Sequence, residues 1–169
     1  MRRIIAPLAL ILACAGSAFA QKYIVVDSET IFKSLDEYNN AITTLDTLAK
    51  EYQSKVDAKY SEIETLYNNY MAQKASLSAQ SRSQYEQTIL TKEQAAAEYQ
   101  ESVFGDEGVM MKKRIELIQP VQRRVFSAIE QYAKSQGCDM VVDKASNATL
   151  LYCSEAIDHT QSVIEILKR

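Results

Sequence analysis

From Gln21 to Phe104 the chain contains neither proline nor glycine. The two residues that most readily end a helix are absent from that whole stretch. From Tyr38 onward it also carries a seven-residue apolar repeat. With Tyr38, Leu45, Tyr52, Lys59 and Leu66 at d, the a positions are Ile42, Ala49, Val56, Ile63 and Tyr70. Every one but Lys59 is apolar or tyrosine, which is the pattern of a coiled-coil seam. A helix over 36–74 would be roughly 60 Å long at 1.5 Å per residue. A compact domain of this size has no room for such a helix, so the spacing predicts one that projects.

The repeat breaks at Ala75–Gln84, a serine- and glutamine-rich stretch in which Leu77 is the one large apolar residue. Ser78 or Ser81 can cap a second helix, and Ser81 with Gln84 fits a capping box. The heptad resumes at Tyr85, Ile89, Lys92, Ala96, Tyr99 and Val103. Two heptad segments joined by a short loop are antiparallel neighbours. Gly105 and Gly108 interrupt the return helix. Helix resumes from Val109 to about Gln136, with Pro120 expected to kink it and Gly137 suited to the position just past its end. Gly105, Gly108 and Pro120 are the candidate hinges of the arm.

Both ends of the chain beyond the signal read as a small body. Residues 22–26 (Lys-Tyr-Ile-Val-Val) suggest a strand, followed by a helix capped by Asp27 or Ser28. Residues 138–142 and 149–153 look like two strands of a hairpin around the loop 144–148. Asp158 with Gln161 can start a last helix, and His159 beside it reads as a surface residue. The first strand and the hairpin can share a sheet only if the long helices leave and return to one place. The expected fold is therefore α+β and mostly helical. Residues 21–35 and 109–169 form a small β-containing body with the root of the return helix, and 36–108 form an antiparallel coiled-coil helical hairpin arm. So small a core with so much unburied helix calls for oligomerisation.

The first twenty residues read as an export signal: Arg2 and Arg3, an apolar run from Ile4 to Ala15, and Ala18-Phe19-Ala20 for cleavage after Ala20. Acylation at Cys14 is the rival reading, disfavoured by bulky Leu12 and a shortened apolar run. Without Arg2 and Arg3 the chain has 17 basic against 22 acidic residues, net −5. That balance argues against nucleic acid as a partner. One histidine in 169 residues excludes a His-cluster metal site. No catalytic dyad or phosphate-binding glycine loop is present either. The sequence implies no enzyme, no cofactor, and a periplasmic location.

Several segments in this order resemble the Skp/OmpH family of periplasmic chaperones. They are Tyr23-Ile-Val-Val-Asp27 before a short helix, the coiled hairpin, Ile118-Gln-Pro-Val-Gln122, Gly137-Cys-Asp-Met-Val-Val-Asp143, Leu151-Tyr152, and Ile157-Asp158-His-Thr before the final helix. The resemblance implies a homotrimer whose bodies pack together and whose arms enclose a cavity. It also implies an ATP-independent holdase for unfolded outer-membrane proteins. A structural or scaffolding coiled-coil protein of the envelope is the alternative. The resemblance implies a strongly basic protein whose arms attract acidic clients, whereas residues 36–107 here hold thirteen acids and six bases. No acid lies between Thr65 and Tyr85, so the shaft is acidic and the tip mildly positive.

Tyr60 and Tyr67, one place after d and seven apart, are either edge packing or a client-facing stripe. Met71, Lys74, Leu77 and Arg82 near the tip complete the client-binding candidates. Lys112-Lys113-Arg114 and Arg123-Arg124 read as a solvated face, with attraction of acidic clients or peripheral contact to anionic lipid as the other use. Cys138 and Cys153 would sit near each other in the expected hairpin. A one-residue register shift would bring them opposite and permit a disulfide; otherwise they are two buried thiols.

Overall fold

The structure, a computed structural model, describes residues 22–146 and 149–169. The expected export signal, with its cleavage point, and Asn147 and Ala148 of the expected loop lie outside the described residues. In chain order the elements are β1 (Tyr23–Val26), α1 (Ser28–Lys33), α2 (Asp36–Gln73), α3 (Ala79–Phe104), α4 (Val109–Ser135), β2 (Met140–Asp143), a 3-10 turn (Glu155–Ile157) and α5 (Thr160–Leu167). The fold is α+β and mostly helical. Two compact units emerge, residues 22–31 with 125–169, and residues 32–124.

The first unit is built on β1. Ile24, Val25 and Val26 are all buried, the expectation for a β-branched run covered on both faces. Ile31, Val125, Val163 and Ile164 of the same unit are also buried. β1 pairs in parallel with β2, Tyr23 opposite Met140 and Val26 opposite Asp143. On its other side Val25 bridges to Asp158, and the His159 N–H donates to the Val25 carbonyl at 2.9 Å. α4 ends as the sequence suggests. Gly137 has φ +62°, its N–H donates to the Lys134 carbonyl, and the Cys138 N–H donates to the Ala133 carbonyl. That is a Schellman cap, and only glycine adopts the left-handed backbone there without strain.

The expected strand hairpin is absent. Residues 138–142 do supply a strand, shifted to Met140–Asp143, but its partner is β1. Residues 150–154 form no secondary structure, and Leu151 and Tyr152 are 96% and 81% exposed. Strand propensity is local, whereas pairing depends on which backbone edge arrives nearby. Here the apolar β1 edge is the better partner for β2. The register that would have opposed the two cysteines therefore does not exist, and Cys138 and Cys153 are both free, half-buried thiols. His159 is also half-buried rather than on the surface, its Nδ1 lying 2.7 Å from the Tyr132 hydroxyl.

A knot of charge closes this unit. The Asp143 carboxylate accepts from the Ser28 N–H and hydroxyl, the Ala145 N–H and the Ser146 hydroxyl. Lys144 donates to Asp158 at 2.6 Å and lies 3.8 Å from Asp27. Asp158 also accepts from the Thr160 N–H and hydroxyl. Burial pushes the Asp158 carboxyl up, but the Lys144 ammonium and the Thr160 bonds outweigh it and hold the group down at about 2.

In the second unit α2 and α3 form the antiparallel hairpin. Val56, Ile63 and Tyr70 on α2, and Ile89, Ala96 and Val103 on α3, are all buried at seven-residue intervals. These are the a positions, and the d positions are half-buried. Ile42 departs from the pattern: it is 44% exposed while Ala41 beside it is buried. The seam needs two helices. The Val56 and Val103 layers come last before α3 ends at Phe104, so the N-terminal turns of α2 carry the repeat but have no α3 residue to face.

Candidate binding surfaces of the helical hairpin

The tip is a packed structure. Ser78 caps α3 by accepting from the Ser81 N–H at 3.1 Å, which resolves the choice of cap between the two serines. Leu77 packs on the cluster of Ile63, Tyr70, Ile89 and Ala96, together with Leu66 and Tyr85. The Arg82 Nε donates to the Leu77 carbonyl at 3.1 Å, and the Lys74 ammonium lies 5.2 Å from the centre of the Tyr70 ring. Tyr70 stacks on Tyr85 with centroids 5.6 Å apart. The hydroxyl of Tyr70 donates to Glu86. That bond, with burial adding to it, raises the phenol above its ordinary value.

The other candidates lie on one open flank of the hairpin. Tyr60, Tyr67 and Met71 are each 42–49% exposed. The Tyr60 hydroxyl donates to Gln100 Oε1 of α3 at 3.3 Å, which fixes the side of the seam on which this row runs. Leu90 of α3, 47% exposed, falls on the same side by heptad position. Sequence reading had not singled it out, although its place one residue after buried Ile89 marks it. The six candidates thus separate into two groups. Leu77, Lys74 and Arg82 engage the tip itself, and Tyr60, Tyr67 and Met71 face solvent.

Lysines gather on the opposite flank. Lys92 pairs with Glu62 at 2.7 Å, and its hydrogen bond holds the Glu62 carboxyl below the usual range. Lys59 lies over the Tyr99 ring at 5.0 Å and Lys55 over Tyr52 at 5.2 Å.

A cavity of about 570 Å³ opens near the start of α4. Its apolar lining includes Phe32, Tyr38, Ile42, Phe104, Met110 and Met111, with Asp46, Asp106 and Arg114 at the polar positions. The sequence gives little sign of it beyond the paired methionines, since Ile42 fits the heptad and leaves it only in the structure. Gly105 and Gly108 make the tight turn beside it. A Cβ on Gly108 would stand 2.5 Å from the Val103 carbonyl oxygen, and one on Gly105 would stand 2.5 Å from that of Glu101. Both are glycines because backbone approaches closely. Pro120 lies inside α4, which runs through it without a break from Val109 to Ser135.

Among the described residues, no helix is long and apolar enough to cross a membrane. The sequence matches the OmpH-like outer membrane protein family over residues 22–167. No curated protein matches it. The fold is similar to the crystal structure of an OmpH-like protein of Caulobacter crescentus CB15 proposed as an outer membrane chaperone. The TM-score is 0.66 and the identity 14%, covering 87% of this chain and 83% of that one. At that identity the likeness speaks for the fold.

Proposed function

Because the chain belongs to the OmpH-like outer membrane protein family, a family of chaperones, we propose that it is an ATP-independent periplasmic holdase for unfolded outer-membrane proteins. The observation that supports this most is the open row of Tyr60, Tyr67 and Met71 on the hairpin. A soluble helix normally shows solvent its polar face. Here two rigid, amphipathic tyrosines and an adaptable methionine stand there instead, and these make contact area without demanding one partner geometry. Barrel strands share alternating apolar residues and little else, so a surface of this kind suits them. The working form is a homotrimer whose hairpins surround the client. Residues 1–20 direct export and are removed after Ala20. Binding and release need no nucleotide and no chemical step, and contact with a membrane is at most peripheral.

The test is dilution of a urea-unfolded outer-membrane barrel into buffer, followed by light scattering. Equimolar trimer without nucleotide should suppress the aggregation. Unchanged scattering would reject the holdase and leave a structural coiled-coil role for the envelope.

A further inference from the structure

The exposed row carries a charge pattern that the opposite flank lacks. Between the apolar side chains on the Tyr60–Tyr67 flank, the heptad places Asp57 and Glu64 on α2, and Glu86 and Glu93 on α3. All four are exposed. The bond from Tyr70 to Glu86 and the one from Tyr60 to Gln100 confirm the side. Over the same length, Lys59 and Lys92 lie on the other flank, held by Tyr99 and Glu62, while Lys74, one heptad beyond Tyr67, lies past the end of the row over the Tyr70 ring. The apolar row is therefore edged with carboxylates and has no cation of its own between residues 57 and 71 or between 86 and 100.

We propose that this flank selects client segments in which apolar residues alternate with lysine or arginine. The inference rests on the holdase reading and names the class of segment that the hairpin prefers. From Tyr60 to Met71 the row is about 16 Å long, which an extended segment of about five residues covers. In such a segment one set of alternate side chains meets Tyr60, Tyr67, Met71 and Leu90. The other set points to the edges, where Glu64 and Glu93 stand in water. A cation there gains attraction and an acid meets repulsion, so the carboxylates discriminate even where each exposed pair is weak. The preference runs opposite to the one that a basic arm would have.

The experiment uses the mature protein and two fluorescein-labelled peptides with the same alternating apolar residues. One carries lysine at the intervening positions and the other glutamate. Anisotropy should show the lysine peptide binding more tightly by about fivefold or more at low salt. The gap should close near 500 mM salt, where the Debye length falls to a few ångströms. The double substitution Glu64→Gln, Glu93→Gln should shrink the gap at low salt, and Tyr67→Ala should weaken both peptides together. Equal affinity for the two peptides, a preference for the glutamate peptide, or binding of neither overturns the proposal. Barrel aggregation reads the holdase separately. Suppression alongside charge-blind peptide binding would keep that reading and discard this one.

Discussion

Single residues hold each unit in ways that can be read one at a time. Asp158 has its carboxyl at about 2 when folded, against an ordinary 3.8. A depressed carboxylate adds stability above its unfolded value and loses it as pH falls through the folded one. The 22–31 with 125–169 unit should therefore lose about 2 kcal/mol between pH 4 and pH 2 through this group alone. Thermal melts of Asp158→Asn across that window should show a flatter pH dependence than the native chain; an identical slope would contradict the role. Gly108 is a second such residue. With a carbonyl 2.5 Å from any added Cβ, Gly108→Ala must move backbone, and it should cost about 1–3 kcal/mol of stability. Gly137→Ala should cost about 1 kcal/mol for another reason, its left-handed backbone. Urea denaturation midpoints distinguish both from neutral substitutions. Gly137 was legible in the sequence because a cap needs only its neighbours. The reason for Gly108 was not, since the atom it avoids is a backbone oxygen.

At the level of elements, the hairpin depends on a seam of alternating layers. Ile89 is buried with Ile63, Tyr70 and Ala96. Ile89→Ala should cost about 2–4 kcal/mol, whereas Leu90→Ala next to it, half-exposed, should cost less than about 1 kcal/mol. Circular dichroism melts test the contrast, and equal losses would mean the seam is misassigned. These helices were readable because a seven-residue repeat announces itself in any window. Nothing comparable marks the sheet. Residues 149–153 have strand-like composition, but their side chains at Leu151 and Tyr152 stand in solvent, and β2 pairs with a strand from the far end of the sequence. Long-range parallel pairing leaves no local trace except an apolar run, and β1 and 149–153 both have one. The cavity near α4 was hidden for a similar reason. Its wall joins Ile42 of α2 to Phe104, where α3 stops, and to the methionines of α4, residues far apart in the chain.

For the whole molecule, two small units with few buried residues each suggest that the functional particle is larger than one chain. Sedimentation equilibrium of the mature protein should give three times the subunit mass. A stable, fully helical monomer would contradict the trimer. Site-specific crosslinking reads most directly where clients bind. A photoreactive phenylalanine analogue is placed at position 67, on the exposed tyrosine row, or at exposed position 69, on the opposite side of the same helix. Each protein is mixed with an unfolded outer-membrane barrel and irradiated. Client binding along the tyrosine row predicts strong crosslinks from position 67 and weak ones from position 69. Crosslinks from neither, or mainly from position 69, would contradict it.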